Sequence, residues 1–178
     1  MTALIWLPVA LVVAVLMDAW AALLHGVVWH GSLWRVHRSH HAPRAGKWEA
    51  NDALSLLHAP IAIALILYGC IATPSVGREI AYGVGLGMTA FGVAYTVVHD
   101  GLVHGRLPVA WLGRFAPLAA VVRAHQEHHK GRHGGAPYGL FLGPWELSRA
   151  TSSACRDKAR QLYAASFTGA SPHESEPT

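Results

Sequence analysis

The stretch "ALIWLPVALVVAVLMDAWAALLHGVVWHGSLWRVHRSHH", residues 3–41, passes within a few positions from an apolar run to a histidine-rich one. From Ala3 to Leu24 it holds 22 residues with a single ionisable side chain, Asp18. At about 1.5 Å per residue, a helix of that length crosses the roughly 30 Å hydrocarbon core of a bilayer. Pro8 predicts a kink early in the span. The run has neither the basic leader nor the small-residue cleavage site of a secretory peptide, so it reads as a retained span. Asp18 is costly there unless it faces other helices; a packing hydrogen bond is its expected role, an outer position at a polar site the alternative.

Two further runs follow. Ala53 to Thr73 is broken only by His58 and Pro60, and Ile80 to Val98 carries no charge. With 52% hydrophobic and 13% charged residues and a mean hydropathy of +0.29, the chain belongs with membrane proteins. In the third run, "YGVGLGMTAFG" has no preceding strand to make it a phosphate loop, and Gly83, Gly87 and Gly92 fit close helix packing. The segment 107–122 is 16 residues long, with Arg114, Pro108 and Pro117, and is expected to lie at the interface or dip into the membrane. The predicted fold is therefore all-α: an integral membrane helical bundle of three to four transmembrane or membrane-dipping helices over residues 1–164. Residues 165–178 are small, polar and acidic and are expected to form a disordered tail.

The basic residues orient this bundle. Arg35, Arg38, Arg44 and Lys47 follow the first span, and nine more, from Arg106 to Arg160, follow the third; only Arg78 lies between the second and third. The excess of positive charge assigns that side to the cytoplasm. The formal charge of +4 is not gathered on one recognition element, which excludes nucleic-acid binding as the reading. Cys70 and Cys155 make neither a disulfide framework nor a cysteine metal motif.

Thirteen histidines occur, ten of them in four groups. "HGVVWH" holds His25 and His30; "HRSHH" holds His37, His40 and His41; "HDGLVH" holds His99 and His104; "HQEHH" holds His125, His128 and His129. The order is pair, triplet, pair, triplet, and the hairpin of the second and third spans returns the chain so that all four groups meet at one boundary. On a helix, positions i, i+3 and i+4 share a face, so each triplet presents three nitrogens together. A pair five residues apart is separated by about 140° on an ideal helix and needs a distorted helix end, which Gly26 and Gly101 are placed to permit, unless its members serve different metals. His58, His133 and His173 are read instead as hydrogen-bonded interfacial side chains.

Ten imidazoles and no cysteine are enough for two metals with positions left open, and imidazole suits iron, copper, zinc and nickel alike. Asp100, beside His99, and Glu49 and Asp52, after the first triplet, are candidates to accept the outer N–H of ligand histidines; pairing with Arg or Lys is the alternative. Trp20, Trp29, Phe91 and Tyr95 are candidates to line an apolar substrate path, or else form an interfacial belt.

With "EANDAL" after the first triplet and "GMTAFGVAYTVVHDGLVHGRLP" around the second pair, the order HX4H, HX2HH, HX4H, HX2HH resembles the bacterial β-carotene hydroxylases of the fatty acid hydroxylase superfamily. The resemblance covers about residues 10 to 145 and departs from the family after His129, where the chain reads "PYGLFLGPWEL". It implies an O2-dependent non-haem di-iron monooxygenase that hydroxylates carbon 3 of β-ionone rings, taking β-carotene to zeaxanthin through β-cryptoxanthin, with the ten grouped histidines as ligands of two irons. It also implies ferredoxin and an NAD(P)H-dependent reductase as electron donors, since the chain has no dinucleotide loop, haem motif or Fe–S cysteine set of its own. Alternatives are a superfamily lipid or sterol hydroxylase, a desaturase, a carotenoid ketolase, or a histidine-rich metal transporter.

Overall fold

The computed structural model of the chain describes residues 3–42, 46, 48–131 and 135–168. The expectations for Arg44, Lys47, Arg132, His133, His173 and residues 169–178, and for the side chains of Arg156, Lys158 and Arg160, fall outside that set.

The regular secondary structure of the described residues is all helical, with no strand among them. Helix α1 spans Ala3–Leu23 and continues as a π-helix over Leu24–Ser32; α2 is Trp34–His41, α3 Asp52–Ser55, and α4 Ala59–Ile71. Helix α5, Val76–Tyr95, also continues as a π-helix, over Thr96–Val103. A 3-10 turn at Ala110–Arg114 leads into α6, Ala116–His129, and α7 spans Gly143–Thr168. Among the described residues, three stretches are long and apolar enough to cross a membrane: Leu4–Ser32, Asp52–Ile71 and Val76–Val103. Segment 107–122 is split at Phe115 between the 3-10 turn and α6 and is not a fourth. The chain is a membrane protein whose outward side chains, such as Leu11, Val15, Ile63 and Val93, are the large hydrophobics a lipid environment accepts.

Glycines let α5 sit between its two neighbours. Positions 83 and 87 lie one above the other on a helix, and position 85 is about 200° away, on the opposite face. A Cβ on Gly83 would stand 2.6 Å from the carbonyl oxygen of Trp6, and one on Gly87 2.6 Å from that of Ala10, both on α1. A Cβ on Gly85 would stand 2.9 Å from the carbonyl oxygen of Ala62 on α4. Small residues thus bring the backbones into contact where lipid supplies no hydrophobic drive for association. Gly92 departs from the expectation: a Cβ there meets nothing within 4 Å.

Two features set the ends of the site-bearing helices. Gly131, with φ of +65°, stops α6 directly after the second triplet, and its N–H reaches the His128 carbonyl at 2.9 Å. Helix α7 runs to Thr168, four residues into the expected tail, because "LYAASF" contains good helix formers and no breaker.

Candidate metal centre

The π-helices resolve the spacing of the histidine pairs. Hydrogen bonds from i to i+5 widen the turn, so residues five apart come onto one face. His104 N–H bonds to the His99 carbonyl at 3.0 Å, and Leu33 N–H to that of Val28 at 2.9 Å. The His25 and His30 rings consequently lie 5.1 Å apart, and those of His99 and His104 4.6 Å. Gly26 and Gly101 serve close packing instead, since a Cβ would stand 3.0 Å from the Tyr138 ring at the first and 2.8 Å from Val109 at the second.

The ten histidines gather into two clusters. His25, His30, His37, His41 and His128 place one nitrogen each within 4.8 Å of one another, and His40, His99, His104 and His125 do the same. His129 joins the second cluster, its Nε2 at 2.9 Å from that of His125 and 3.2 Å from that of His40, while its ring stacks on His41 of the first. Each cluster takes one complete pair and draws on both triplets. The first triplet sends its outer members to cluster one and His40 to cluster two; the second triplet does the reverse, sending His128 across. The two halves of the chain therefore interlock.

Proton positions make the clusters cation sites. His25 Nδ1 donates to the Tyr138 carbonyl at 2.8 Å, and His37 Nδ1 to Asn51 Oδ1 at 2.7 Å. Both acceptors are oxygens with no proton to give, so each ring keeps its hydrogen on Nδ1 and turns a bare Nε2 inward. Those two Nε2 atoms face each other at 3.0 Å. Two lone pairs at that separation repel unless a cation stands between them. His99 repeats the pattern, with Nδ1 donating to Asp100 at 2.8 Å and Nε2 at 3.2 Å from that of His40. So does His128, with Nδ1 on the Gly135 carbonyl and Nε2 at 3.3 Å from that of His30. Outer acceptors that fix the tautomer and aim the lone pair are the ordinary setting of metal-bound histidine.

Burial, with the neighbouring rings behind it, favours the neutral form of the imidazoles outside the spans. It holds His41, His104 and His128 down to about 3 and His37 and His129 to about 4, and places His40 and His125 well below the usual histidine value. Neutral imidazole is the form that binds a transition metal. With four or five nitrogens apiece and no sulfur, the clusters suit a transition-metal ion that keeps a position open.

The surrounding residues divide by role. Asp100 accepts from His99, and Glu49 Oε2 lies 3.6 Å from His40 Nδ1. Among the described residues Asp52 bonds to no histidine side chain: it takes Arg106 at 2.7 Å and the Glu49 N–H at 3.0 Å, because Arg106 draws it and Glu49 together. Asn51 and Arg106 escaped the sequence reading, the first as an amide between two carboxylates, the second counted only as a basic loop residue. The Tyr138 and Gly135 acceptors are backbone atoms and leave no mark in sequence. Asp18 accepts the N–H groups of Leu140, Phe141 and Leu142 at 3.2, 3.3 and 2.7 Å, and so pins the loop that carries the Tyr138 carbonyl.

A cleft of about 220 Å³ opens beside the clusters, lined by α1, α3 and α5. Trp29, Phe91 and Tyr95 line it, and Trp29 and Tyr95 also line a small inner crevice that reaches His25, His99 and His125. Tyr95 stacks on His99 with centroids 4.5 Å apart. Trp20 is not in the lining; half exposed on the outer face of α1, it donates its indole N–H to His58 Nε2 at 3.0 Å, and His58 lines the cleft in its place.

Residues 10–151 match the fatty acid hydroxylase family, and the chain belongs to that family. Within it, the chain is similar to β-carotene 3-hydroxylase 1, chloroplastic, of Arabidopsis thaliana, at 46% identity over 82% of this chain and 46% of the relative. It is 48% identical to β-carotene hydroxylase 2, chloroplastic, of Capsicum annuum, over 75% of this chain and 43% of the relative. The bacterial β-carotene hydroxylase of Pseudescherichia vulneris is 41% identical over 70% of this chain and 69% of its own. The chain thus spans just under half the length of the plant relatives it matches. No solved structure matches.

Proposed function

We propose that the chain is an O2-dependent β-carotene 3-hydroxylase whose ten grouped histidines hold two iron ions. The observation that carries the metal reading is the 3.0 Å approach of the His25 and His37 Nε2 atoms, both lacking a proton between them. The substrate reading is supported by the relatives' names and by the apolar cleft.

Two irons bound here would supply the redox chemistry that breaking a strong ring C–H bond requires and that acids and bases lack. In the overall balance one oxygen atom of O2 enters the C–H bond as hydroxyl and the other leaves as water, consuming two electrons and two protons. Tyr138, Asn51, Asp100 and Gly135 hold the imidazole protons outward, so the Nε2 lone pairs turn inward, where they would hold the metals. Trp29, Phe91 and Tyr95 receive the β-ionone ring, exclude water and present its edge toward the inner crevice, while the polyene runs out into the bilayer. A cleft of this size suits one ring end rather than a whole carotenoid, and the second ring is hydroxylated after the molecule turns around.

Ferredoxin and a reductase deliver the electrons, and the centre faces the cytoplasm from a bacterial inner membrane, a reading supported by the excess of basic residues on that side of the spans. Gathering of the ligands at one boundary, rather than along a path through the spans, favours this reading over metal transport.

Expression in cells that accumulate β-carotene is the direct test. Conversion to β-cryptoxanthin and zeaxanthin is expected on pigment chromatography; 4-keto products, or unchanged β-carotene beside an iron-loaded protein, contradict the substrate assignment. The cleft has its own test. Gly92 lines it with open space around it, so Gly92→Leu is expected to leave folding intact and cut turnover at least about tenfold, about 1.4 kcal/mol in the barrier. Gly87→Leu on the packed face is the contrast, costing about 1–3 kcal/mol of stability. Melting temperature and turnover, measured on both variants, separate the two effects.

A further inference from the structure

We propose that the two metal positions are inequivalent by construction: carboxylates stand behind the position held by His40, His99, His104, His125 and His129, neutral oxygens behind the other, so the carboxylate-backed position binds a divalent ion more tightly. This rests on the reading that the clusters hold two ions.

The outer nitrogens carry the case. In the first cluster, His25, His37 and His128 donate to the Tyr138 carbonyl, the Asn51 amide oxygen and the Gly135 carbonyl, all uncharged. In the second, His99 donates to the Asp100 carboxylate at 2.8 Å. Glu49 sets Oε2 at 3.6 Å from His40 Nδ1, and that oxygen is buried with no hydrogen-bond partner among the described residues. A carboxylate oxygen in that state has its charge directed at the imidazole beside it.

Charge is equally one-sided. Arg106 reaches Glu49 at 3.0 Å, Asp52 at 2.7 Å and Asp100 at 4.0 Å. Among the described residues of this group, one guanidinium offsets one of three carboxylates, 3 minus 1, leaving a formal −2 beside the second cluster. A carboxylate behind an imidazole raises the basicity of the ligating nitrogen, and nearby negative charge stabilises a bound cation. Both effects act on the second position. Arg106 is a positioning residue, holding the Glu49 loop and the segment after the second π-helix in one arrangement.

The test is titration of the metal-free protein in detergent with Co(II), followed by its visible absorption against a competing chelator. Two resolved steps are expected in the wild type. His99→Ala should remove the tighter step, and His37→Ala the looser one. Asp100→Asn should weaken the tighter step about 10-fold or more and leave the looser one in place. Asn51→Asp puts a carboxylate behind His37 and should tighten the looser step, a gain that damage to the fold does not produce. Two equal steps in the wild type, equal weakening of both by Asp100→Asn, or no tightening by Asn51→Asp overturns the inequivalence while the two-ion reading stands. Failure to bind Co(II) at all overturns both.

Discussion

Replacing His40 with alanine is expected to lower turnover by more than about a hundredfold and to reduce bound iron from two ions per chain to one. His40 sits where the two halves of the chain interlock: its Nε2 lies 3.2 Å from those of His99 and His129 and 3.4 Å from that of His125. It comes from the first triplet, whereas these three come from the second pair and the second triplet. Its removal therefore leaves the second cluster without its contribution from the first half of the chain. Even outer partners of metal ligands are worth about 10–100-fold, so a ligand shared this way is worth at least the upper figure. Circular dichroism should be unchanged, since His40 is on α2, outside the helix packing around α5. Full activity with two irons would remove His40 from the ligand set.

Asp18→Ala is expected to cost about 3 kcal/mol or more of stability and to impair metal loading, although among the described residues Asp18 bonds to no histidine. Its carboxylate is buried and takes three consecutive backbone N–H groups, at Leu140, Phe141 and Leu142. Leaving a buried donor without its acceptor costs about 1–3 kcal/mol, and the alanine variant leaves three donors in that state. The loop then releases the Tyr138 carbonyl that holds His25. Asp18→Asn keeps an acceptor and should recover part of both losses. Thermal unfolding and iron content, measured together, check the prediction; loss of stability with full iron content would separate the loop from the site.

These results indicate which parts of the molecule are legible in sequence. Spans of 20 or so apolar residues, and triplets at i, i+3 and i+4, follow from helix geometry alone, and they locate the bundle and the histidine-bearing boundary. The pairs are readable only as a misfit: five residues do not return to one face of an α-helix, and the π-helices at Leu24–Ser32 and Thr96–Val103 are what that misfit requires. The crossing of His40 and His128 between clusters is a matter of how α2 and α6 meet, which no local pattern contains. Acceptors supplied by Tyr138 and Gly135 are main-chain atoms, invisible by residue type. Asp52 and Trp20 show the reverse problem. A carboxylate near a ligand and an aromatic near a span have plausible roles at the site, but the competing partners Arg106 and His58 take them, and only tertiary structure reveals who competes.

The clearest test of the centre is anaerobic reconstitution of the purified chain with ferrous iron, followed by iron quantification and X-ray absorption at the iron edge. Two irons per chain in an imidazole-dominated shell, with an iron neighbour detectable from each, are the expected result. A single iron, or two too far apart to sense one another, would contradict the interlocked arrangement of the two halves.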